Sequence, residues 1–192
     1  MNLQVILSFL ILISLSFSCD SEKECCEKEG SDANKSITSE ESIYELGSNW
    51  TKQDGTSMTL DALKGKVIIA AMVFTHCESA CPRIVADMQR IEKETAGIPN
   101  LQFLLISMDP ARDTPARFIT FAQERQLGSQ WIMLSSTQED TDEIANVLGV
   151  KIKRLSDGGF DHSNTIFVLD HEGSIAFSQD GLEQEPTALI QK

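Results

Sequence analysis

Apolar positions fall in three regimes along this chain: one uncharged, mostly apolar block at the start, a long polar stretch after it, then short apolar runs alternating with amphipathic segments. In the third regime, Val67 to Phe74 (VIIAAMVF) is almost continuously apolar and rich in β-branched residues. That is the pattern of a central strand covered on both faces. The run stops at THCESACP, and Pro82 predicts a helix starting there and running through Gly97, since proline is favoured at the first helical position. Upstream, residues 47–60 read as a β-hairpin turning at Asp54-Gly55. Downstream, LQFLLIS (101–107) predicts a second strand and residues 116–128 a helix capped by Asp113 or Thr114. A short strand at 131–134 and an amphipathic helix at 139–149, ended by Gly149, come next. Residues 151–155 form a further segment, followed by a loop over 156–163, strands at 165–170 and 174–178 joined by the His171-Glu-Gly turn, and a short tail from Pro186. Strands alternating with helices and closed by a hairpin predict an α/β sandwich around a mixed sheet.

The initial block gives the chain a separate organisation at its N-terminus. Residues 1–18 carry no charged side chain, and their apolar run from Val5 to Leu15 is too short to span a membrane but suits an export signal. Cys19 follows small residues, as in the lipobox of bacterial lipoproteins, although Ser16 stands where leucine is usual and Leu15 lies one place earlier. Lipidation of Cys19 would anchor an extracytoplasmic domain in the cell envelope, where disulfides persist. Residues 19–42 are polar and charged and read as a disordered acidic tether. The adjacent Cys25 and Cys26 within it receive no assigned role. The folded domain is expected over residues 43–192.

Charge and composition narrow the partners. With 29 acidic against 16 basic residues the chain carries a formal charge of −13 and has no basic block. Nucleic acid is therefore a poor partner. There is no Gly-rich phosphate loop, which argues against a nucleotide cofactor.

The candidate chemistry lies at the end of the first central strand, where Cys77 and Cys81 are four positions apart. A helix beginning at Pro82 would put Cys81 at its N-cap, with both sulfurs near the positive end of the dipole, where the thiolate is favoured. Three intervening residues differ from the two of a thioredoxin-type C-x-x-C motif. The pair therefore reads as a redox disulfide or as a soft-metal site, placed too close to a loop for passive packing alone.

Three motifs in order, FTHCESACP (74–82), MDPARDTP (108–115) and FDHSNTIFVLD (160–170), resemble the Sco/SenC family of copper-binding, thioredoxin-like assembly proteins. The resemblance covers roughly residues 45–180. It implies a thioredoxin-like three-layer sandwich with a mixed central sheet and an N-terminal β-hairpin. It also implies a tethered extracytoplasmic domain that delivers copper to, or keeps reduced the thiols of, the copper A site of cytochrome c oxidase. Carried over, the copper ligands for Cu(I) or Cu(II) fall on Cys77, Cys81 and His162. Thiolates suit Cu(I) and imidazole suits both oxidation states. Asp161, Asp109 and Asp113 are candidates to orient the ligands, although Asp109 also fits a simple turn and Asp113 a helix cap. His76 adjoins Cys77 but is expected to point away from it, and His171 is expected to be solvated in its turn. Glu78 replaces a proline common in the family, the C-terminal helix is expected to be short after Ile190, and the usual transmembrane anchor is expected to be replaced by a lipid on Cys19. The leading expectation is a metallochaperone rather than an enzyme. The alternative is a thiol-disulfide oxidoreductase using Cys77 and Cys81 without His162, and a peroxide-reducing enzyme is a weaker third reading because no peroxidatic loop is evident.

Overall fold

The computed structural model describes residues 41–77 and 80–180. Expectations for the export segment, Cys19, Cys25, Cys26, Glu78 and the C-terminal tail lie outside the described residues. No helix among the described residues is long and apolar enough to cross a membrane.

The expected hairpin is β1 (Asn49–Lys52) and β2 (Ser57–Thr59), closed through Gly55 at φ +80°. The first central strand is β3 (Val67–Val73), followed by α1 (Ala80–Glu94), β4 (Leu101–Ser107), α2 (Pro115–Arg125), β5 (Trp131–Ser135) and α3 (Gln138–Val147). Two short strands, β6 (Ile152–Arg154) and β7 (Phe160–His162), precede β8 (Thr165–Leu169) and β9 (Ile175–Asp180). Seven strands make one sheet in the order β2-β1-β5-β4-β3-β8-β9, while β6 and β7 pair only with each other. β3 runs parallel to β4 and β4 to β5, and the remaining neighbours are antiparallel. The sheet is mixed, as expected, and its parallel centre explains the nearly unbroken apolar runs. From Ile68 to Val73 and from Gln102 to Ser107 every residue is buried, because helices packed on a parallel sheet leave neither face to water. Each fully buried Ile or Leu there contributes on the order of 2 kcal/mol.

Local chemistry sets the helix boundaries, and the start of α1 differs from expectation. α1 begins at Ala80, two residues before Pro82, so Cys81 lies within the first turn rather than at its cap. Proline is tolerated there because first-turn N–H groups have no intrahelical acceptor, so Pro82 marks a first turn but not its first residue. α2 is capped by Thr114, whose hydroxyl accepts from the Arg117 N–H at 3.3 Å, while Asp113 turns inward. α3 starts from a capping box in which Thr137 and Asp140 satisfy each other's backbone N–H groups. The predicted loop over 156–163 also differs, since Phe160–His162 within it form β7 against β6.

Candidate metal centre

β3 ends in the middle of the sheet, and everything after Val73 is delivered to one end of it. Thr75 is buried and held in place: its N–H and hydroxyl donate to Asp113 at 3.1 and 2.5 Å. The Ser107 hydroxyl at the end of β4 donates to the same carboxylate at 2.6 Å. Asp113 is therefore the buried knot that ties the ends of two parallel strands together. Burial holds its carboxyl above the usual range, and the hydrogen bonds from Ser107 and Thr75 offset part of that rise. Arg117 reinforces the turn by donating to the Thr75 carbonyl at 2.9 Å and hydroxyl at 3.1 Å.

The chain beyond this knot presents the two cysteines differently. Cys81 is fully buried as part of the hydrophobic core, and Cys77 is half-buried at its edge. The Cys81 N–H points at the Cys77 sulfur, 3.4 Å away. Cys77 rather than Cys81 thus receives the open N–H of the helix start, the place where a thiolate is stabilised. For Cys81 the expectation of a depressed pKa is overturned: burial pushes its thiol well above the ordinary value, only partly opposed by a hydrogen bond with the Phe74 backbone. A buried thiol of this kind ionises when a cation replaces its proton. Neither cysteine is in a disulfide.

β7 brings the histidine. In the register of β6 with β7, Ile152 pairs with His162, Lys153 with Asp161 and Arg154 with Phe160. Alternation then puts His162 and Phe160 on the face toward the domain and Asp161 on the other. His162 Nε2 lies 4.0 Å from Cys81 Sγ, across 81 positions of sequence, and its Nδ1 is 2.9 Å from the Ser163 carbonyl. A Nδ1–H donated to that carbonyl leaves Nε2 as the lone-pair nitrogen facing the thiol. Phe74 packs edge-on to the His162 ring at 6.2 Å and against Phe160 at 4.9 Å.

The other expected residues divide. Asp161 is exposed and does not orient His162, because the Ser163 carbonyl does. Asp109 is fully buried and opens the turn as expected, its carbonyl accepting from the Arg112 and Asp113 N–H groups at 3.0 and 2.9 Å, and its carboxylate also accepts from the Arg112 side chain. His76 is directed to Thr75, at 3.3 Å, and to Asp113, at 3.7 Å. His171 is exposed in the β8–β9 turn. Sequence reasoning missed Arg112, Arg154 and the Phe74–Phe160 pair. The spacing of Phe160 and His162, two apart on a strand, was the available signal for a shared face.

Chemically the arrangement suits a soft ion. Sulfur and imidazole bonds of about 2.3 and 2.0 Å together span roughly the distance between Cys81 Sγ and His162 Nε2. Cys77 Sγ faces the Cys81 N–H at 3.4 Å, and among the described residues no group of three or more His, Cys, Asp or Glu is closed around one point. An open cavity of about 350 Å³ borders Cys77, walled by Phe74, Arg112, Leu155 and Phe160.

Fold and site together define a thioredoxin-like domain that carries two thiols and an imidazole where its first central strand meets its first helix. The chain belongs to the SCO1/SenC family, whose model matches residues 40–192. It is 28% identical over 139 residues to the SCO1 protein homolog of Bacillus subtilis (strain 168), covering 70% of this chain and 72% of that one. Bradyrhizobium japonicum ScoI, solved with copper bound, superposes with a TM-score of 0.58 at 26% identity, covering 73% of this chain and 90% of that one. BsSco, described as having a disulfide switch and as a member of the Sco family of cytochrome c oxidase assembly proteins, superposes with a TM-score of 0.65 at 26% identity, covering 80% and 92%.

Proposed function

We propose that this chain is an extracytoplasmic copper chaperone, held at a membrane through a lipid on Cys19, that binds one copper ion as cargo through Cys77, Cys81 and His162. The observation that carries this reading is the approach of His162 Nε2 to Cys81 Sγ at 4.0 Å, beside a second thiol. Two sulfurs and one nitrogen suit Cu(I) and tolerate Cu(II). The half-buried Cys77 is the ligand best placed to pass the ion to a partner by ligand exchange, with Cys81 and His162 behind it. The client is a cupro-enzyme, and likeness to BsSco favours the copper A site of cytochrome c oxidase. The test is Cu(II) binding by the reduced protein, followed through the thiolate charge-transfer band, with His162→Ala alongside. One equivalent bound by wild type and a sharp loss of affinity in the variant are expected, and unchanged affinity refutes the ligand assignment.

The asymmetry of the cysteines favours a second reading of the same site. Cys77 is accessible and faces the helix N–H, while Cys81 is buried directly behind it. In a thiol-disulfide oxidoreductase, the Cys77 thiolate attacks a partner disulfide and displaces one partner thiolate. Cys81 then attacks Cys77 and releases the second, so two electrons pass to the partner and the Cys77–Cys81 disulfide remains. This activity would survive His162→Ala. An oxidised pair offers no thiolates to copper, so the two roles alternate with redox state.

A further inference from the structure

The hairpin that carries His162 is attached to the domain mainly through side chains. β6 and β7 form a sheet of their own with three residues each. The bonds that close its loop, from Leu155 N–H to the Gly159 carbonyl at 2.9 Å and from Gly158 N–H to the Leu155 carbonyl at 3.1 Å, stay inside the hairpin. A two-stranded hairpin by itself is marginally stable. Its position therefore depends on what its side chains and loop carbonyls reach.

Arg154 of β6 also donates to Gln138 of α3 at 3.3 Å, but the loop and the strand both reach Asp109. This carboxylate is fully buried just past the end of β4, and its backbone N–H is fixed by the Ser107 hydroxyl at 2.9 Å. One oxygen, Oδ2, accepts from Arg112 Nε, and Arg112 Nη2 donates in turn to the carbonyl of Gly158 in the hairpin loop. The other oxygen, Oδ1, has no hydrogen-bond partner among the described residues and has Arg154 Nη1 of β6 at 3.9 Å. The Arg154 guanidinium also lies over the Phe160 ring at 4.6 Å, and Phe160 packs on Phe74, which borders His162. One buried carboxylate thus reaches the hairpin twice, at its loop and at its strand. Ser107, which fixes Asp109, also bonds the Asp113 knot that anchors the turn before Cys77.

We infer that Asp109, Arg112 and Arg154 form a latch that sets the β6–β7 hairpin, and with it His162, at its distance from the thiols. The inference rests on the reading of His162 as a ligand. Asp109, Arg112 and Arg154 are positioning residues, each acting on His162 through the hairpin that carries it. The latch requires arginine at 112, because one planar group serves the carboxylate through Nε and the carbonyl through Nη2, which a point-charge lysine cannot span.

The experiment compares the full-length chain with its Arg112→Ala, Arg112→Lys, Arg154→Gln and His162→Ala variants, by two readouts. Amide hydrogen exchange without metal is expected to show the 152–162 amides losing about tenfold or more of their protection in Arg112→Ala and Arg112→Lys, with β3 and β4 unchanged. Arg154→Gln, a half-exposed position suited to a folded variant, should move the same amides less. Cu(II) titration with electron paramagnetic resonance is expected to show affinity falling about 10–100-fold and imidazole nitrogen coupling weakening, while Cu(I) binding by the two thiolates is retained. Unchanged hairpin exchange in all three arginine variants overturns the latch. So does loosened exchange with Cu(II) affinity and nitrogen coupling intact, when His162→Ala weakens both. If His162→Ala itself leaves Cu(II) binding untouched, the ligand reading falls and hydrogen exchange alone decides the latch.

Discussion

His162 Nε2 stands 4.0 Å from Cys81 Sγ, yet the two side chains have different surroundings: the thiol is wholly inside the core and the imidazole is half-buried on a hairpin outside the main sheet. The two cysteines should therefore separate stability from binding. Cys81→Ser puts a hydroxyl into an apolar pocket and is expected to cost about 1–3 kcal/mol. Cys77→Ser lies at the edge of the core, and its hydroxyl can still accept the Cys81 N–H, so it should change stability by less than about 0.5 kcal/mol. Each removes one of the two thiolates and should weaken copper binding and diminish the Cu(II)–thiolate band. Urea unfolding of the metal-free variants beside copper titration checks the pair. Equal destabilisation by both would contradict the burial difference.

Asp113 accepts from the Thr75 N–H, the Thr75 hydroxyl and the Ser107 hydroxyl, all in a buried place. Asp113→Ala leaves these donors without an acceptor and is expected to destabilise the domain by about 3 kcal/mol, since each buried unsatisfied group costs about 1–3 kcal/mol. Asp113→Asn keeps one acceptor oxygen and should cost less. Chemical denaturation of the two variants orders them. A small effect in Asp113→Ala would mean that Arg117, which also holds Thr75, suffices for the turn.

How far the chain could be read beforehand follows from which interactions are local. β3 and β4 were legible because residues buried on both faces must be apolar, and the hairpin turn at Gly55 and the Thr114 cap follow from residues a few positions apart. The juxtaposition of Cys81 with His162 was accessible only through the likeness of three motifs to a known family, since no periodicity links residues 81 positions apart. The raised pKa of Cys81 was not legible, because it arises from residues that close over it only in the folded state. Nor was β7, whose sequence FDHSN reads as a loop and becomes a strand through pairing with β6. Asp113 looked like a cap because helix-capping chemistry is local, and its actual partners, Thr75 and Ser107, come from two other strand ends.

Gly173 in the β8–β9 turn tests how the N-terminal segment of the domain is seated. Its φ is +80°, and a Cβ there would lie 2.7 Å from the Tyr44 ring. Tyr44 is itself buried, with its hydroxyl donating to the Leu63 carbonyl at 3.1 Å. Gly173→Ala should cost about 1–3 kcal/mol, combining an unfavourable backbone region with displacement of the ring. Gly55, at φ +80° but with open space around its Cβ position, serves as the comparison. Gly55→Ala should cost less, by roughly the steric part, and thermal unfolding of the two variants measures the difference.

Asp140, like Asp54, contributes to the acid-side pH dependence. Hydrogen bonds from Ser136 and Thr137 hold its carboxyl below the usual carboxylate range. A folded-state pKa below the unfolded value of about 3.9 means that the charged form is the one folding favours. Its contribution is therefore fully present above that unfolded value and is lost as pH falls through the lower folded value. Asp140→Ala should accordingly cost about 1 kcal/mol at pH 7, the usual scale for a lost helix cap, and the gap from wild type should close as the pH is taken below about 4. Thr137→Ala removes the other half of the box and should cost a similar amount at pH 7. Thermal unfolding of wild type and Asp140→Ala at pH 7 and pH 3 is the check. A gap that stays constant would show that the Asp140 contribution does not depend on its charge.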